Sequence, residues 1–265
     1  MTTTNRRRAL RAGAGLVAGG ALPVGCTETG GPARPAGTAA SASRPHGPGS
    51  PAATPRPAPS PRAFPRQPDQ ITHGPRTGAA VALTFHGQGE PALARRLLTE
   101  AERQGARITV LAVGSWLDEH PDLARRVLDG GHDLGNHTQR HLAINAMSEA
   151  GARTEISACA DRLRRLTGSI GSWFRPSRAP TASAMVARLA QEAGYPHVLS
   201  YDVDSLDYTR PGAPAITRTV LDQVRAGSVV SLHFGYPDTV VALPAVLQEL
   251  GRRGLRAVTT TELLS

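Results

Sequence analysis

The chain has 265 residues, no lysine, 30 arginines against 21 acidic residues, and a formal charge of +9. Ten of the arginines and only two of the acids precede residue 79, so the remainder is nearly neutral and the basic balance does not argue for nucleic-acid binding. Two cysteines exclude a disulfide framework and a zinc–cysteine site, and the length suits one well-buried domain with extensions.

Residues 1–26 read as an export signal. "NRRRALR", Asn5 to Arg11, is a basic n-region, and "AGAGLVAGGALPVGC", Ala12 to Cys26, is a weakly apolar run behind it. That run is too short and too rich in glycine to span a bilayer stably. Arg6, Arg7 and Arg8 with Leu10 and Arg11 resemble a twin-arginine signal. The competing reading is a disordered basic tail. "LPVGC" resembles a bacterial lipobox, with Gly25 fitting and Pro23 standing where leucine is usual. Lipidation of Cys26 implies a membrane anchor, and ordinary cleavage nearby implies release. Residues 27–78 are Gly, Pro, Ala, Ser, Thr and Arg with almost no aliphatic side chains. Such a segment cannot bury enough apolar surface to offset its ordering entropy, which predicts a disordered, proline-stiffened linker.

From Ala79 to Ser265, apolar strand-like runs alternate with amphipathic helical ones. "AAVALTF" predicts a strand, and "PALARRLLTEAERQG" a helix with Pro91 near its start. "ARITVLAV" is strand-like, "PDLARRVLDGG" a short helix closed by glycines, and "HDLGNH" loop-like at its end. "MSEAGARTEISACADRLRRLTG" is the longest helix, with Cys159 on its apolar face as a core thiol. "SWFRPS" suggests a short strand ending at Arg175. "TASAMVARLAQEAG", "AITRTVLDQVRAG" and "TVVALPAVLQELGRRG" are helical, and "HVLSYDVD" and "SVVSLHF" are strands; "LRAVTT" and "TELL" finish the chain. About seven β–α units of this kind predict an α/β fold with a parallel sheet covered by helices, closed or nearly closed into a barrel.

Sites in such folds form at strand C-terminal ends. The strand ends here carry His86, His137 and His141, Arg175, Asp202 and Asp204, and His233. A single histidine at a strand end means little; five converging positions with imidazoles, carboxylates and a guanidinium point to a site. His137 and His141, four apart, can face one metal from a helix or tight turn, although two solvated loop histidines are the plainer reading of that pair alone.

The order and spacing of these groups resemble the polysaccharide deacetylase family, the NodB-homology domain. "GHDLGNHTQRH", Gly130 to His141, is similar to its metal-binding His-Ser/Thr-x-x-His motif. "ALTF", "WFRPS", "DVDSLDY" and "VVSLHF" follow its remaining motifs in order. The likeness spans about Ala79 to Leu264 and implies a distorted (β/α) barrel of about seven parallel strands. It implies a metal-dependent hydrolase, zinc its usual ion, removing acetyl groups from an extracellular or cell-wall polysaccharide through carbon–nitrogen or acetyl-ester hydrolysis; with the export signal, we expect an exported monomer. Carried onto this chain, it makes His137 and His141 metal ligands and His233 the general acid. Asp204 becomes the charge-assisted partner of His233, and Arg175 the residue that orients the base. Leu232 would line the pocket against the acetyl methyl. Trp173 and Tyr201 are candidate sugar contacts, as are Trp116, Tyr208 and Tyr236.

The first motif departs from the family pattern. In "TFHGQG", His86 stands where the family has its base aspartate, and Gly87 where it has its metal-binding aspartate. His86 is then either a third metal ligand, giving a three-histidine site, or the base, for which an ordinary imidazole pKa near 6.5 suits neutral pH. It cannot be both. The alternative to a working hydrolase is a catalytically impaired, glycan-binding pseudoenzyme held at the cell surface, and a further one is a purely structural barrel that spaces the tether.

Overall fold

The computed structural model describes residues 58–265; the export signal, the lipobox at Cys26 and the linker up to residue 57 lie outside them. In chain order the elements are β1 (Gln70–Ile71), β2 (Ala80–Gly87), α1 (Pro91–Arg103), β3 (Thr109–Ala112), α2 (Gly114–Glu119), α3 (Asp122–Asp129) and β4 (Asp133–Asn136). They continue with α4 (Glu149–Thr167), α5 (Ala184–Glu192), β5 (Val198–Leu199), β6 (Val203–Asp204), α6 (Ala213–Gln223), β7 (Val229–His233), α7 (Pro237–Arg252), β8 (Arg256–Val258) and α8 (Thr260–Leu263). Proline opens α1 and α7, where its missing N–H costs nothing. Ser148, Ser183 and Thr259 cap α4, α5 and α8 through their hydroxyls. "TELL", at the end of the chain, is thus α8. "SWFRPS" contributes only Phe174, which bridges Asn136 on one side and Val198 on the other.

Every strand pair is parallel. The order runs β6-β7-β2-β3-β4, Phe174 carries it on to β5, β1 pairs with β5, and β8 pairs with the first half of β2. The result is a distorted (β/α) barrel. Strand alternation sorts its side chains. Val81, Leu83, Phe85, Val230 and Leu232 belong to the core cluster shared with the helices. Ala82, Leu111, Val229, Leu199 and Trp173 form a second cluster between the strands. Pairing of β2 with β7 sets His86 opposite His233, and Ser231 two residues before it on the same face. The strands therefore deliver His86, Ser231 and His233 to one end of the barrel.

The domain begins earlier than residue 79. Residues 58–78, expected as linker, lie along the barrel. Ala58 N donates to Thr167 O, and next to the β1–β5 pairing Val198 N donates to Asp69 O. Phe64 stacks on Trp173 with centroids 5.5 Å apart, and its N–H donates to His197 Nε2 at 2.9 Å. Arg76 reaches Asp202 at 2.8 Å. Three apolar residues, Phe64, Ile71 and Ala58, are enough to anchor a segment whose composition predicts disorder. Among the described residues no helix is long and apolar enough to cross a membrane.

Candidate functional site

His86 is the next-to-last residue of β2 and faces the barrel end. Its ring centroid lies 4.3 Å from that of His137 and 4.2 Å from that of His233, and its Nε2 is 3.3 Å from Ser231 Oγ. Gly87 follows it inside the strand. A Cβ at 87 would meet Val110 Cγ1 at 2.9 Å and Ala112 Cα at 3.0 Å, so the place of a carboxylate there is already filled by β3. The chain then turns through Gly89 (φ 108°), where a Cβ would lie 2.5 Å from Gly235 Cα. Only glycine permits the loops after β2 and β7 to touch in this way.

His137 and His141 sit on a loop rather than a helix. Asn136, at the end of β4, organises it. Its Nδ2 donates to Ile156 O and Tyr195 Oη, and its Oδ1 accepts from Thr138 N. Arg140 is clamped by the buried Glu155 through its backbone N–H and its Nε, both at 2.7 Å. Thr138 and His141 take left-handed φ angles of 69° and 55°, which fold the loop tightly enough to bring the two rings within 4.9 Å. His137 Nδ1 donates to Arg175 O at 3.0 Å, since a carbonyl can only accept. Its Nε2 is therefore an unprotonated lone pair, and it is buried with no partner. One ring nitrogen from each of His86, His137 and His141 lies within 4.8 Å of the others. A carbonyl-held imidazole with an orphaned second nitrogen is the arrangement of a metal-ligating histidine, so this set fits a divalent cation.

Burial sets the protonation of the cluster. It is the main cause that holds His86 and His137 well below the usual imidazole range, with repulsion from neighbouring histidines and Arg175 adding to it. His141 is lowered to about 4, by burial first and then by Arg178 and His233. A lowered pKa makes the His86 imidazole a weaker proton acceptor than an ordinary one.

Arg175 is fully buried. Its Nε donates to Leu199 O at 3.0 Å and one Nη to Ser200 O at 2.9 Å, and its other Nη has no partner. Burial lowers its pKa to about 10. His233 is held by Asp207, not by Asp204. Its Nδ1 lies 2.6 Å from Asp207 Oδ1, its N–H donates to Asp207 Oδ2 at 2.8 Å, and Thr239 Oγ1 donates to the same oxygen. Asp204 instead accepts from Leu206 N at 3.0 Å and sits 3.5 Å from Tyr201 Oη, on the rim. The left-handed turn at Leu206 (φ 56°) swings Asp207 underneath His233. "DVDSLDY" offers three aspartates, and only that turn selects the third. Asp202 is tied to Arg76, Ser228 and Val229 N and faces away from this cluster's chemistry.

These groups open into a cleft of about 650 Å³, bordered by His86, His141, His233, Tyr201, Asp204 and Tyr208 among others. Three expected substrate contacts are not on it, and one of them, Trp116, is buried against Phe234 with its Nε1 donating to Gly89 O. Leu232 alternates with Ser231 and His233 and points into the core shared with the helices. Trp173 is sandwiched by Phe64, and its Nε1 donates to Asp133 and Thr261, inside the barrel. Tyr201 does border the cleft, with the Arg175 guanidinium 5.3 Å from its ring centre. Ser231, Arg178 and Arg210 also border it and carry no motif signal that sequence reasoning could have used.

The polysaccharide deacetylase family profile matches residues 73–198. A peptidoglycan-N-acetylglucosamine deacetylase of Bacillus cereus is 32% identical over 202 residues, covering 72% of this chain and 90% of that protein. Among solved structures, the Bc1960 peptidoglycan N-acetylglucosamine deacetylase is 25% identical with a TM-score of 0.69, covering 74% of this chain and 92% of that one. BA3943 of Bacillus anthracis, described as a CE4 family pseudoenzyme, superposes with a TM-score of 0.71 over 75% of this chain and 70% of that one; at 22% identity the likeness is one of fold. With the barrel, the order of its strand ends and a relative of this identity all in agreement, the chain belongs to the polysaccharide deacetylase family.

Proposed function

We propose that the domain binds an acetylated polysaccharide in this cleft, at the cell surface after export, and that acetyl hydrolysis there is impaired. The donor set carries this reading. Where the family pattern has two aspartates, one as base and one as metal ligand, the cluster offers only imidazoles, those of His86, His137, His141 and His233. The nearby carboxylates are already engaged, Asp207 by His233 and Thr239, and Asp204 by Leu206 N and Tyr201. A divalent cation, zinc by the all-imidazole donors, would be held by His86, His137 and His141, and when bound it would polarise an acetyl carbonyl. His86 in that role leaves no base; His86 as base leaves two ligands. Binding is supported by what is retained: a preformed cleft with Tyr201, Tyr208 and Tyr236 on its border, whose rings can stack on sugar faces.

A second reading, a working acetyl hydrolase, is favoured by one observation. Asp207 fixes His233 Nδ1, which leaves Nε2 directed toward substrate to donate a proton to a leaving amine or alcohol. The test that separates the two is acetate release and glycan binding by the full chain with zinc, cobalt or nickel supplied. The expected result is saturable binding with no more acetate than an H137A/H141A double variant releases. Turnover by the parent that the double variant abolishes would install the hydrolase reading. Export by the twin-arginine route and anchoring at Cys26 belong to the same proposal; the mass of the mature N-terminus checks the latter.

A further inference from the structure

Glu155 breaks the pattern of its helix. On α4 it stands between Ala152 and Cys159, at helical spacing, on the face that also buries Ile156, Ala160 and Leu163. An apolar side chain suits such a stripe. The carboxylate there is only 1% exposed, and burying a charge costs stability unless hydrogen bonds offset it. A charged group kept in an apolar stripe at that cost points to a task outside the helix.

Its partners define the task. One loop residue takes both carboxylate oxygens: Arg140 N donates to Oε2 and Arg140 Nε to Oε1, each at 2.7 Å. The next residue of α4 holds the other end of the loop, where Asn136 Nδ2 donates to Ile156 O at 2.9 Å. A single turn of α4 thus pins both ends of the segment 136–140. Lighter anchors lie between and beyond them. Gln139 Nε2 donates to the partly exposed Asp118, Thr138 Oγ1 to Ser177 Oγ, and Ser177 Oγ to Leu142 O. Gly114 N and Ser115 N donate to Thr138 O and Gln139 O. The segment needs this anchorage, because Thr138 and His141 have left-handed φ angles of 69° and 55°, which a residue with a Cβ disfavours. Among these anchors Glu155 is the one fully buried charge, and it holds the residue immediately before His141.

We infer that Glu155 is a positioning residue of the three-histidine site: through Arg140 it holds the left-handed turn that sets His141 beside His137. The inference rests on the reading above that these rings and His86 hold a cation. Released from Glu155, the turn relaxes toward an ordinary φ and carries the His141 ring away from that of His137, now 4.9 Å distant. His86, on β2, does not move with it. Groups that orient metal-ligating histidines typically change metal affinity by about 10- to 100-fold.

Cobalt titration and urea unfolding of the full chain test this in E155L and E155Q. Leucine suits the stripe and removes a buried charge, while the Arg140 guanidinium, 62% exposed, stays solvated. E155L should therefore unfold at a urea concentration at or above that of the parent. Its cobalt affinity should nevertheless fall by about 10-fold or more, and that of E155Q by about 3-fold, since the glutamine carbonyl keeps one of the two bonds. In chelator-treated protein the backbone HN–Hα coupling of His141, which reports its φ, should change in E155L. A folded E155L with the parent's cobalt affinity, or with lowered affinity and an unchanged coupling, overturns the inference. If E155L does not fold, E155Q carries the same test; failure of both to fold makes Glu155 a structural residue and overturns the inference too. A parent that binds no cobalt overturns the three-histidine reading, and this inference with it.

Discussion

His233 Nδ1 and Asp207 Oδ1 lie 2.6 Å apart, and the same carboxylate also accepts from the His233 backbone and from Thr239. One buried aspartate therefore fixes the ring, the strand end and the first turn of α7 together. Asp207→Asn weakens all three bonds and is expected to cost about 2 kcal/mol of stability, by analogy with other hydrogen bonds to buried charged groups. Urea unfolding measures this. The ring tautomer of His233, followed by NMR, should change in D207N and stay as in the parent in D204N. The reverse pattern would mean that Asp204 is the working partner.

Metal binding should require three imidazoles and not the fourth. His86→Ala, His137→Ala and His141→Ala are each expected to weaken cobalt or zinc binding by at least about 10-fold, while His233→Ala retains it. Elemental analysis and titration with cobalt distinguish the outcomes. Retention of metal in H86A would make His86 the base candidate and leave a two-histidine site.

The metal-free domain should lose stability on the acid side. His86, His137 and His141 all have folded pKa values below that of an unfolded histidine. The unfolded chain then binds more protons, so the contribution of these groups is fully present above about pH 6.5. It falls as the pH drops from there through about 4, the value for His141. Each fully buried group adds up to about 1.4 kcal/mol per pH unit to the slope, and the partly exposed His141 adds less. Unfolding followed in the presence of a chelator should show a steeper fall between pH 6 and 5 in the parent than in H137Q. Parallel slopes would count against burial of neutral rings.

Returning a carboxylate at residue 87 should not be free. The close approach of a Cβ there to Val110 and Ala112 predicts that Gly87→Asp destabilises the fold by about 1–3 kcal/mol, as overpacked positions do. Val110→Ala in the same chain should recover part of that loss. A G87D variant as stable as the parent would show that β3 gives way easily.

Phe64 should behave as a core residue. It is buried against Trp173 and His197, so Phe64→Ala is expected to cost about 3 kcal/mol. A chain begun at residue 79 should unfold at lower urea concentration than one begun at residue 58. Equal midpoints would return residues 58–78 to the status of linker.

The alternation of apolar strands with amphipathic helices was enough to name the barrel. It also put His86, His137, His141, Arg175 and His233 at strand ends, because period and chain order are local properties that a single sequence displays. Which way a side chain turns is not local. Leu232 and Ser231 are neighbours on one strand, and only the packing of α7 and the barrel interior decides which of them reaches the cleft. Asp204 and Asp207 lie three residues apart in one loop, and the left-handed turn at Leu206 decides which of them meets His233. Residues 58–78 have the composition of a linker, yet the stack of Phe64 on Trp173 and backbone pairing with Val198 fold them onto the domain. The absence of a side chain at Gly87 was visible in the sequence; that β3 fills the space it leaves is a fact of strand packing alone.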